Sequence, residues 1–251
     1  MVKVIMHGCN GAMGQVISSM AEKDEEIRIV AGIDLNTERK WDYPVFASLE
    51  DCTEEADVII DFASAKAVDH LLDYCGRTGM PVVLCTTGLS EEQVKKVSET
   101  AEKTAVLRSA NMSLGVNLLL KMVKEAAKVL AAADFDMEVL EKHHNQKVDA
   151  PSGTALALAD SLNEAMDHQY HYVYDRSSRR EKRDKKEIGI QSVRGGSIVG
   201  EHDVIFAGQD EVITFSHTAY SKAIFAKGAI LAAKFLKGKP AGLYDMSDVI
   251  G

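Results

Sequence analysis

The N-terminal stretch "VKVIMHGCNGAMGQVI" constrains the fold more than any other part of the sequence. A short apolar run, typical of a buried strand, ends in the glycines Gly8, Gly11 and Gly14 and passes into apolar residues at helical spacing. A glycine turn that enters a helix exposes backbone N–H groups and the positive end of the helix dipole, both of which favour a bound pyrophosphate. Such a turn can also be purely structural, but its place between a strand and a helix favours a dinucleotide site.

The following hundred residues alternate between short apolar runs and helical segments. "IRIVAGID", "ADVIIDFA", "PVVLCTTG" and "AVLRSANM" are predicted strands, and Gly79 and Ser90 mark the end of one helix and the N-cap of the next. This alternation predicts a parallel α/β sheet of the Rossmann type. Asp34 ends the second strand, where an acid commonly binds the adenosine ribose hydroxyls. A carboxylate there favours NADH, although Arg39 and Lys40 are near enough in sequence to leave NADPH open.

The pattern changes after residue 114. A long helical segment precedes the alternating run "FDMEVLEKHH", a further helix, and three predicted strands within residues 187–219. Gly195-Gly196 and "GQDE" are natural turns, so consecutive strands here are expected to pair as antiparallel hairpins. We therefore predict a dinucleotide-binding domain from residues 1–114 with 221–251, and an α+β domain with a mainly antiparallel sheet from residues 115–220.

Composition excludes several classes of function. The formal charge of −9 over 251 residues disfavours nucleic-acid binding by the protein as a whole. No apolar run reaches the roughly 18 residues that span a bilayer, and the N-terminus does not resemble a signal peptide. The four cysteines have no CxxC spacing, which predicts free thiols in a reducing compartment and no metal site. We expect a cytoplasmic protein.

Residues 141–155, "EKHHNQKVDAPSGTA", hold the densest set of reactive side chains. His143 and His144 can act as acids or bases near neutral pH, and Lys147 can pair with a carboxylate or donate a proton. Ser152 suits the N-cap of the next helix, which would leave the N–H groups of Gly153 and Thr154 available to an anion. Each feature alone suits an ordinary surface or turn, but together they predict a site for a small carboxylate-bearing molecule.

Other polar features favour less specific interpretations. A hydrolase that uses Ser152, His143 and Asp149 is disfavoured, because the serine lacks a nucleophile-elbow context. The segment "DRSSRREKRDKKE" is interpreted as a mobile, solvated loop, with an electrostatic funnel for an anionic substrate as the alternative. His7, His202 and His217 are interpreted as structural.

The fifteen residues "EKHHNQKVDAPSGTA" resemble the signature of the 4-hydroxy-tetrahydrodipicolinate reductase family, also called dihydrodipicolinate reductases. The resemblance extends over nearly the full chain, through "GCNGAMG", "IDF", "TTGLSEEQ", "SANMSLGVNLLLK", "VRGGSIVGEH" and "GLYDMSDVI". It implies hydride transfer from NADH or NADPH to a small cyclic dicarboxylate in the diaminopimelate route to lysine. It also implies a homotetramer joined through second-domain sheets.

The resemblance implies roles for individual residues. His143 would be a proton donor and acceptor and Lys147 a proton donor, while His144, Ser152, Gly153 and Thr154 would bind the substrate carboxylates. The residues expected to line the cofactor are Gly8, Cys9, Asn10, Gly11, Ala12, Met13, Gly14, Asp34, Cys85, Thr86, Thr87, Ser109, Ala110, Asn111 and Met112.

Four positions depart from the commonest family pattern. Cys85 replaces a usual glycine and raises the prospect of thiol sensitivity, and Met112 replaces a usual phenylalanine. Leu35 and Lys222 stand where some members have arginine, and Leu35 leaves the preference for NADP open. Two alternatives remain at this point: a non-catalytic dinucleotide-binding or redox-sensing protein, and a reductase of another small dicarboxylate or imine.

Overall fold

The computed structural model describes residues 1–109 and 111–251, which divide into two compact units. The first unit comprises Met1–Ser113 with Ala223–Gly251, and the second comprises Leu114–Lys222. Within the described residues, the longest apolar helices fall short of what crossing a membrane requires.

The first unit is built on a seven-stranded parallel sheet with helices packed against it. Its strands are β1 (Val2–His7), β2 (Ile27–Ile33), β3 (Val45–Phe46), β4 (Val58–Asp61), β5 (Val82–Leu84), β6 (Ala105–Arg108) and β12 (Gly242–Tyr244). Its helices are α1 (Ala12–Ala21), α2 (Ala65–Thr78), α3 (Glu91–Ala101), α6 (Ala223–Leu236) and α7 (Met246–Ile250). The Rossmann-type parallel sheet predicted for this part of the chain is confirmed.

The order of the strands places a ligand crevice at the first strand. The sheet runs β12-β6-β5-β4-β1-β2-β3, so the chain leaves β1 toward one edge and then crosses to β4 and the other edge. Ligands of open α/β sheets bind outside the carboxyl ends of the strands at such a reversal. The apolar strands themselves, with Val4, Ile59 and Val83 fully buried, form the core beneath that edge.

Local sequence signals set the helix ends in this unit. Gly79 adopts a left-handed φ of 73° after α2, where its N–H donates to the carbonyl of Cys75. Ser90 forms a capping box with Gln93 at the start of α3. Both signals were predicted and both are confirmed.

The second unit packs two long helices on one face of a five-stranded sheet. Its helices are α4 (Leu114–Leu130) and α5 (Gly153–Glu164), with a short 3-10 turn at Ala131–Ala133, and its strands are β7 (Asp136–His143), β8 (His171–Val173), β9 (Glu187–Arg194), β10 (Gly200–Ala207) and β11 (Val212–Ala219). Residues of β7 and β10 alternate between buried and half-exposed, as expected for a sheet covered on one face. The core includes Leu119, Leu158 and Phe206.

The pairing of strands in this sheet corrects one expectation. The order is β11-β10-β7-β9-β8, so β10 and β11 form the predicted hairpin, but β9 and β10 do not pair. Strand β7 lies between them, antiparallel to β10 and parallel to β9. Gly195 and Gly196 instead hydrogen-bond to the chain at the end of β7, through Gly195 N–H to the His143 carbonyl and Asn145 N–H to the Gly196 carbonyl. The sheet is mixed, with two antiparallel pairings (β10–β11 and β7–β10) and two parallel ones (β7–β9 and β8–β9).

The basic segment before β9 is tied to the sheet at a few points. The guanidinium of Arg183 hydrogen-bonds the carboxylates of Asp136 and Glu138 and three backbone carbonyls, and its side chain is only 17% exposed. Arg176 pairs with the buried Glu187. Lys185 pairs with Asp134. Three of the seven basic residues thus pair with acids at or near the starts of β7 and β9, whereas residues 177–182 are exposed, as expected for a solvated loop.

Candidate active site

The glycines after β1 are required by close backbone contacts. Gly8 has a left-handed φ of 81°, and a Cβ there would lie 2.8 Å from the carbonyl oxygen of Phe62. A Cβ on Gly14, in the first turn of α1, would lie 2.6 Å from the Cys9 carbonyl oxygen and closer still to that of Gly8. Gly11 is the N-cap of α1 and has no side chain to cap the helix. The loop is thus a tight turn in which side chains at Gly8 and Gly14 would collide with the protein's own backbone.

Several N–H groups of this loop are already bonded within the protein. Gly8 and Cys9 donate to the Ile33 carbonyl, and Asn10 donates to a carboxylate oxygen of Asp34 over 2.9 Å. The N–H groups of Ala12 and Met13, in the first turn of α1, have no acceptor within residues 1–109 and 111–251. The first turn of α1 therefore has N–H groups open to an acceptor, whereas the earlier N–H groups hold the turn in shape.

A cleft of about 750 Å³ opens beside this loop, a size suited to a small-molecule ligand. His7, Gly8, Asn10, Gly11 and Asp34 line it together with residues at the start of α2. It lies where the strand order reverses, between β1 and β4. The glycine cradle, the open helix start and the acid at the end of β2 are what a dinucleotide requires.

The surroundings of Asp34 bear on the choice of cofactor. One of its carboxylate oxygens accepts from Asn10 N–H and the other from Asn36 N–H, so the group is fixed at the rim of the cleft. Arg39 is paired with Asp42, and Lys40 lies 3.8 Å from Glu38. Leu35 is almost fully exposed. The two cations that could have offset a 2′-phosphate are thus engaged with other acids.

The remaining cofactor candidates follow β5 and β6. Cys85, Thr86 and Thr87 come directly after β5, and Cys85 N–H donates to the Asp61 carbonyl. Ser109, Asn111 and Met112 follow β6, and Ala110 lies outside the described residues. Both stretches are at the carboxyl edge of the parallel sheet. Lys222, the other position that departs from the family pattern, is exposed just before α6.

The cysteine thiols are electrostatically unsuited to reaction. Burial raises the pKa of Cys9 to about 11 and that of Cys75 to about 12. Burial also raises the pKa of Cys52, and it raises the pKa of Cys85 well above its usual range, with a further contribution from Asp61. Because the thiolate is the nucleophile, thiol sensitivity at Cys85 is disfavoured.

We expect iodoacetamide at neutral pH to modify Cys9, Cys75 and Cys85 of the folded chain at least about tenfold more slowly than in the urea-unfolded chain, since burial raises the pKa of these thiols and leaves less thiolate. Peptide mass spectrometry after timed labelling measures each position separately. Labelling of Cys85 as fast in the folded as in the unfolded chain would contradict this expectation.

The second candidate site lies at the carboxyl end of β7. His143 is the last residue of that strand and is buried, and its Nδ1 lies 2.5 Å from a carboxylate oxygen of Glu141. Arg194, the last residue of β9, stands beside His143 in the parallel register and binds Glu141 through both terminal nitrogens, at 2.7 and 2.8 Å. With Nδ1 engaged, Nε2 is the nitrogen of His143 that remains for a ligand.

Helix α5 begins beside this histidine. Ser152 is its N-cap, accepting from Ala155 N–H, and its own N–H donates to Glu141. The Ser152 hydroxyl lies 3.0 Å from Nε2 of His202, a buried residue of β10 whose ring meets that of His143 edge-on at 5.1 Å. A serine hydrolase would need this hydroxyl on His143, so the contact with His202 disfavours that alternative.

Lys147 and His144 lie in the loop between β7 and α5. Nζ of Lys147 is 2.8 Å from Asp149, and this contact lowers the pKa of the Asp149 carboxyl. His144 is half-exposed, directly after the strand. The N–H of Gly153 has no acceptor among the described residues, and a Cβ there would meet nothing within 4 Å. The segment thus combines acid/base groups, a cation and an open helix start.

Three residues of this site were not assigned a role from sequence: Glu141, Arg194 and His202. Glu141 belongs to the fifteen-residue signature, and its alternation with His143 along β7 could have placed both on one face of the sheet. Arg194 and His202 were missed because β9 and β10 were expected to pair with each other. That pairing leaves no place for β7 between them, so neither residue was expected beside His143. Among the described residues, no set of three His, Cys, Asp or Glu side chains is arranged for a metal ion.

Comparison with known proteins decides the family. Residues 2–112 match the model described as dihydrodipicolinate reductase, N-terminus, and residues 115–250 match the corresponding C-terminal model. The chain belongs to the dihydrodipicolinate reductase family. Members of this family are NADH- or NADPH-dependent oxidoreductases of the diaminopimelate route to lysine, and the chain is one of them.

Relatives of known name match over their full length. The 4-hydroxy-tetrahydrodipicolinate reductase of Caldanaerobacter subterraneus is 52% identical over 250 residues, covering 100% of this chain and 98% of the relative. The enzyme of the same name from Clostridium tetani is 46% identical, covering 98% and 96%. Among solved structures, a dipicolinate-bound dihydrodipicolinate reductase from Paenisporosarcina sp. TG-14 superposes with a TM-score of 0.82 at 26% identity, over 98% of this chain and 97% of that one.

Proposed function

We propose that this reductase converts 4-hydroxy-tetrahydrodipicolinate to 2,3,4,5-tetrahydrodipicolinate with loss of water, and that residues 143–154 perform the chemistry on the substrate. The observation that carries this assignment is the buried Glu141–His143 contact beside an open helix start. A non-catalytic dinucleotide-binding protein would have no use for that arrangement. The full-length relatives of this name support the same reaction.

Dinucleotide binding is assigned to the first unit. The loop from Gly8 to Gly14 would receive the pyrophosphate at the start of α1, and Asp34 would accept hydrogen bonds from the adenosine ribose. The stretches Cys85–Thr87 and Ser109–Met112 would line the rest of the cofactor. When bound, the nicotinamide supplies the hydride, and the protein contributes binding and orientation.

Substrate binding is assigned to the second unit. A cyclic dicarboxylate carries two negative charges, and the N–H groups of Gly153 and Thr154 would donate hydrogen bonds to one carboxylate at the start of α5. The hydroxyl of Ser152 lies beside these groups, and His144 would contact the substrate from the preceding loop. The dipicolinate bound to the Paenisporosarcina relative is an aromatic dicarboxylate of the same class.

Proton transfer is assigned to His143 and Lys147. Nδ1 of His143 is held by Glu141, so Nε2 would donate or accept the proton at the substrate. Lys147 would donate a proton and neutralise a carboxylate, exchanging its present contact with Asp149 for one with the substrate.

One assay tests the reaction. The substrate is generated enzymatically from pyruvate and aspartate semialdehyde, and oxidation of NADH and NADPH is followed by the loss of nicotinamide absorbance in separate reactions. Turnover that depends on the substrate supports the proposal. Absence of turnover with both cofactors would overturn it and favour a binding or sensing role, while turnover with only another dicarboxylate would reassign the substrate.

We expect NADH to be the better cofactor. The fixed carboxylate of Asp34 would repel a 2′-phosphate, and Arg39 is already paired with Asp42. The kcat/KM for NADH should exceed that for NADPH by about tenfold, equivalent to about 1.4 kcal/mol. An equal or reversed ratio would mean that another cation, such as Lys66 in the cleft, offsets the carboxylate.

The substitution Gly153→Ala tests the carboxylate site without disturbing the fold. The added methyl group meets nothing within 4 Å in the protein, so folding should be unaffected or slightly favoured. A carboxylate that approaches the N–H of residue 153 would, however, meet this methyl group. We expect the KM for substrate and the Kd for dipicolinate to rise about tenfold with an unchanged KM for NADH. If calorimetry shows an unchanged affinity for dipicolinate, Gly153 does not contact the substrate carboxylate.

We also propose a cytoplasmic homotetramer joined through the second-unit sheet. Leu140, Val193, Ile205 and Val212 lie on this sheet at half-exposed or exposed positions, which gives apolar surface for a partner. Light scattering should give four times the 27.4 kDa chain mass. A monomer mass would refute this assembly.

A further inference from the structure

The buried carboxylate of Glu141 is the most heavily bonded group at the end of β7. It is fully buried and accepts hydrogen bonds from His143 Nδ1 at 2.5 Å, from both terminal nitrogens of Arg194, and from Ser152 N–H at 3.1 Å. A buried charge is costly unless its partners are complete. This carboxylate therefore joins β7, β9 and the start of α5 at one point.

Glu141 is ionised at neutral pH. Burial by itself would raise the pKa of its carboxyl, but hydrogen bonds led by those from Arg194 lower it to about 2. An ionised carboxylate only accepts hydrogen bonds, so Nδ1 of His143 must donate. Nε2 is then the nitrogen left for a ligand, bare in the neutral ring and protonated in the imidazolium.

Arg194 supports the second proton-handling residue as well. One terminal nitrogen donates to the Asp149 carbonyl at 2.6 Å, and the carboxylate of Asp149 holds Nζ of Lys147 at 2.8 Å. The guanidinium of Arg194 thus holds both Glu141, which contacts His143, and Asp149, which contacts Lys147. The planar guanidinium can donate to the Glu141 carboxylate and to the Asp149 carbonyl at the same time, which a lysine ammonium cannot do with the same fixed geometry.

The charged and titratable groups around His143 come from every neighbouring element. They are Glu141 on β7, Arg194 on β9, His202 on β10, His217 beyond it on β11, and Lys147 and Asp149 in the loop before α5. Burial, with a smaller contribution from nearby His143, lowers the pKa of His202 to about 4. His202 is therefore neutral near pH 7.

We propose that Glu141 and Arg194 are positioning residues of this reductase. Glu141 orients His143 with Nε2 toward the substrate and acts as the counter-ion of its imidazolium, and Arg194 holds Glu141 in place while it anchors the loop that carries Lys147. Neither residue needs to touch substrate or cofactor. This inference rests on the proposed function of His143 and Lys147.

Arg183 offers a matched control for a purely structural arginine. It binds Glu138 and Asp136 near the opposite end of β7, through a similar number of hydrogen bonds and with a similarly buried side chain. Loss of either arginine removes a multiply bonded cation from the same sheet. Only loss of Arg194 should change the chemistry.

The experiment compares the purified full-length variants Glu141→Gln, Arg194→Met, Arg194→Lys and Arg183→Met. We expect Glu141→Gln and Arg194→Met to lower kcat about 100-fold, within the range for losing general acid/base catalysis, with KM for NADH changed less than about twofold. Arg194→Lys should recover part of the loss, because it restores the charge without the bidentate geometry. Arg183→Met should lower the melting temperature and leave kcat within about twofold of wild type.

Two further readouts separate positioning from structure. In Glu141→Gln, the pH profile of kcat/KM should differ in shape from that of the wild type, since the carboxylate that contacts Nδ1 of His143 is gone. In ¹⁵N-histidine NMR of the wild-type protein, Nδ1 of His143 should carry a strongly downfield proton that Glu141→Gln abolishes. The NMR signal needs no turnover, so it tests the orientation of His143 even if the proposed reaction fails.

Three results would overturn the proposal. One is a kcat loss in Arg183→Met as large as that in Arg194→Met, which would indicate general destabilisation. Another is a Glu141→Gln variant with wild-type kcat and pH profile. The third is an NMR spectrum in which the proton of His143 resides on Nε2 at neutral pH, because Glu141 would then not set the orientation.

Discussion

Replacing His143 by glutamine should lower kcat by about 10²–10⁴-fold, the range that general acid/base catalysis contributes. The amide of glutamine can still bond to Glu141, so the local fold is retained, but it cannot exchange a proton near neutral pH. Lys147→Ala should lower kcat to a similar extent and also raise the KM for substrate, because its ammonium would both donate a proton and pair with a carboxylate. Steady-state kinetics that follow the nicotinamide absorbance measure both parameters.

Both variants should bind NADH with wild-type affinity, since the dinucleotide loop belongs to the first unit and His143 and Lys147 to the second. Quenching or enhancement of NADH fluorescence measures this directly. His171→Gln, at an exposed position of β8, is the matched control and should keep full activity. If His143→Gln and Lys147→Ala both retain near wild-type kcat, the assigned roles are wrong even though the family stands.

The parts of the fold that sequence predicted are those with local causes. The turn at Gly8 needs a residue that tolerates positive φ, Gly79 ends α2 for the same reason, and Ser90 caps α3 with its own side chain. Each of these is decided by a few adjacent residues. The short strands β3, β8 and β12, of two or three residues each, were missed because so few residues show no periodicity.

The part that sequence reasoning got wrong depends on distant pairing. Gly195-Gly196 satisfies the local rules for a hairpin, yet β7 from earlier in the chain pairs with both flanking strands. That register places Arg194 beside His143 and His202 opposite Glu141. The histidines, the lysine and the helix start were predicted because they are adjacent in sequence. The ion pair that supports them was not, because its two halves are 53 residues apart.

Adding a single methyl group at Gly14 should abolish efficient cofactor use. In Gly14→Ala the new carbon would lie 2.6 Å from the Cys9 carbonyl oxygen and would also overlap the Gly8 carbonyl, so the loop must move away from the start of α1. Overpacking of this kind costs about 1–3 kcal/mol. If this free energy destabilises the loop conformation that binds NADH, the KM for NADH rises about 10- to 100-fold. Dipicolinate affinity, measured by calorimetry, should be unchanged because its proposed site lies in the second unit.

Gly76→Ala is the control for Gly14→Ala. It shows whether replacing any helical glycine of the first unit by alanine weakens NADH binding. Gly76 lies inside α2, and a Cβ there meets only the Lys103 and Thr100 side chains, at 3.6 and 3.9 Å. Alanine at an interior helix position should stabilise the unit by about 0.5–1 kcal/mol. NADH binding should remain as in the wild type. A Gly14→Ala variant that folds and binds NADH normally would show that the glycine serves the packing of α1 on the loop, and that the pyrophosphate does not approach the backbone at this turn.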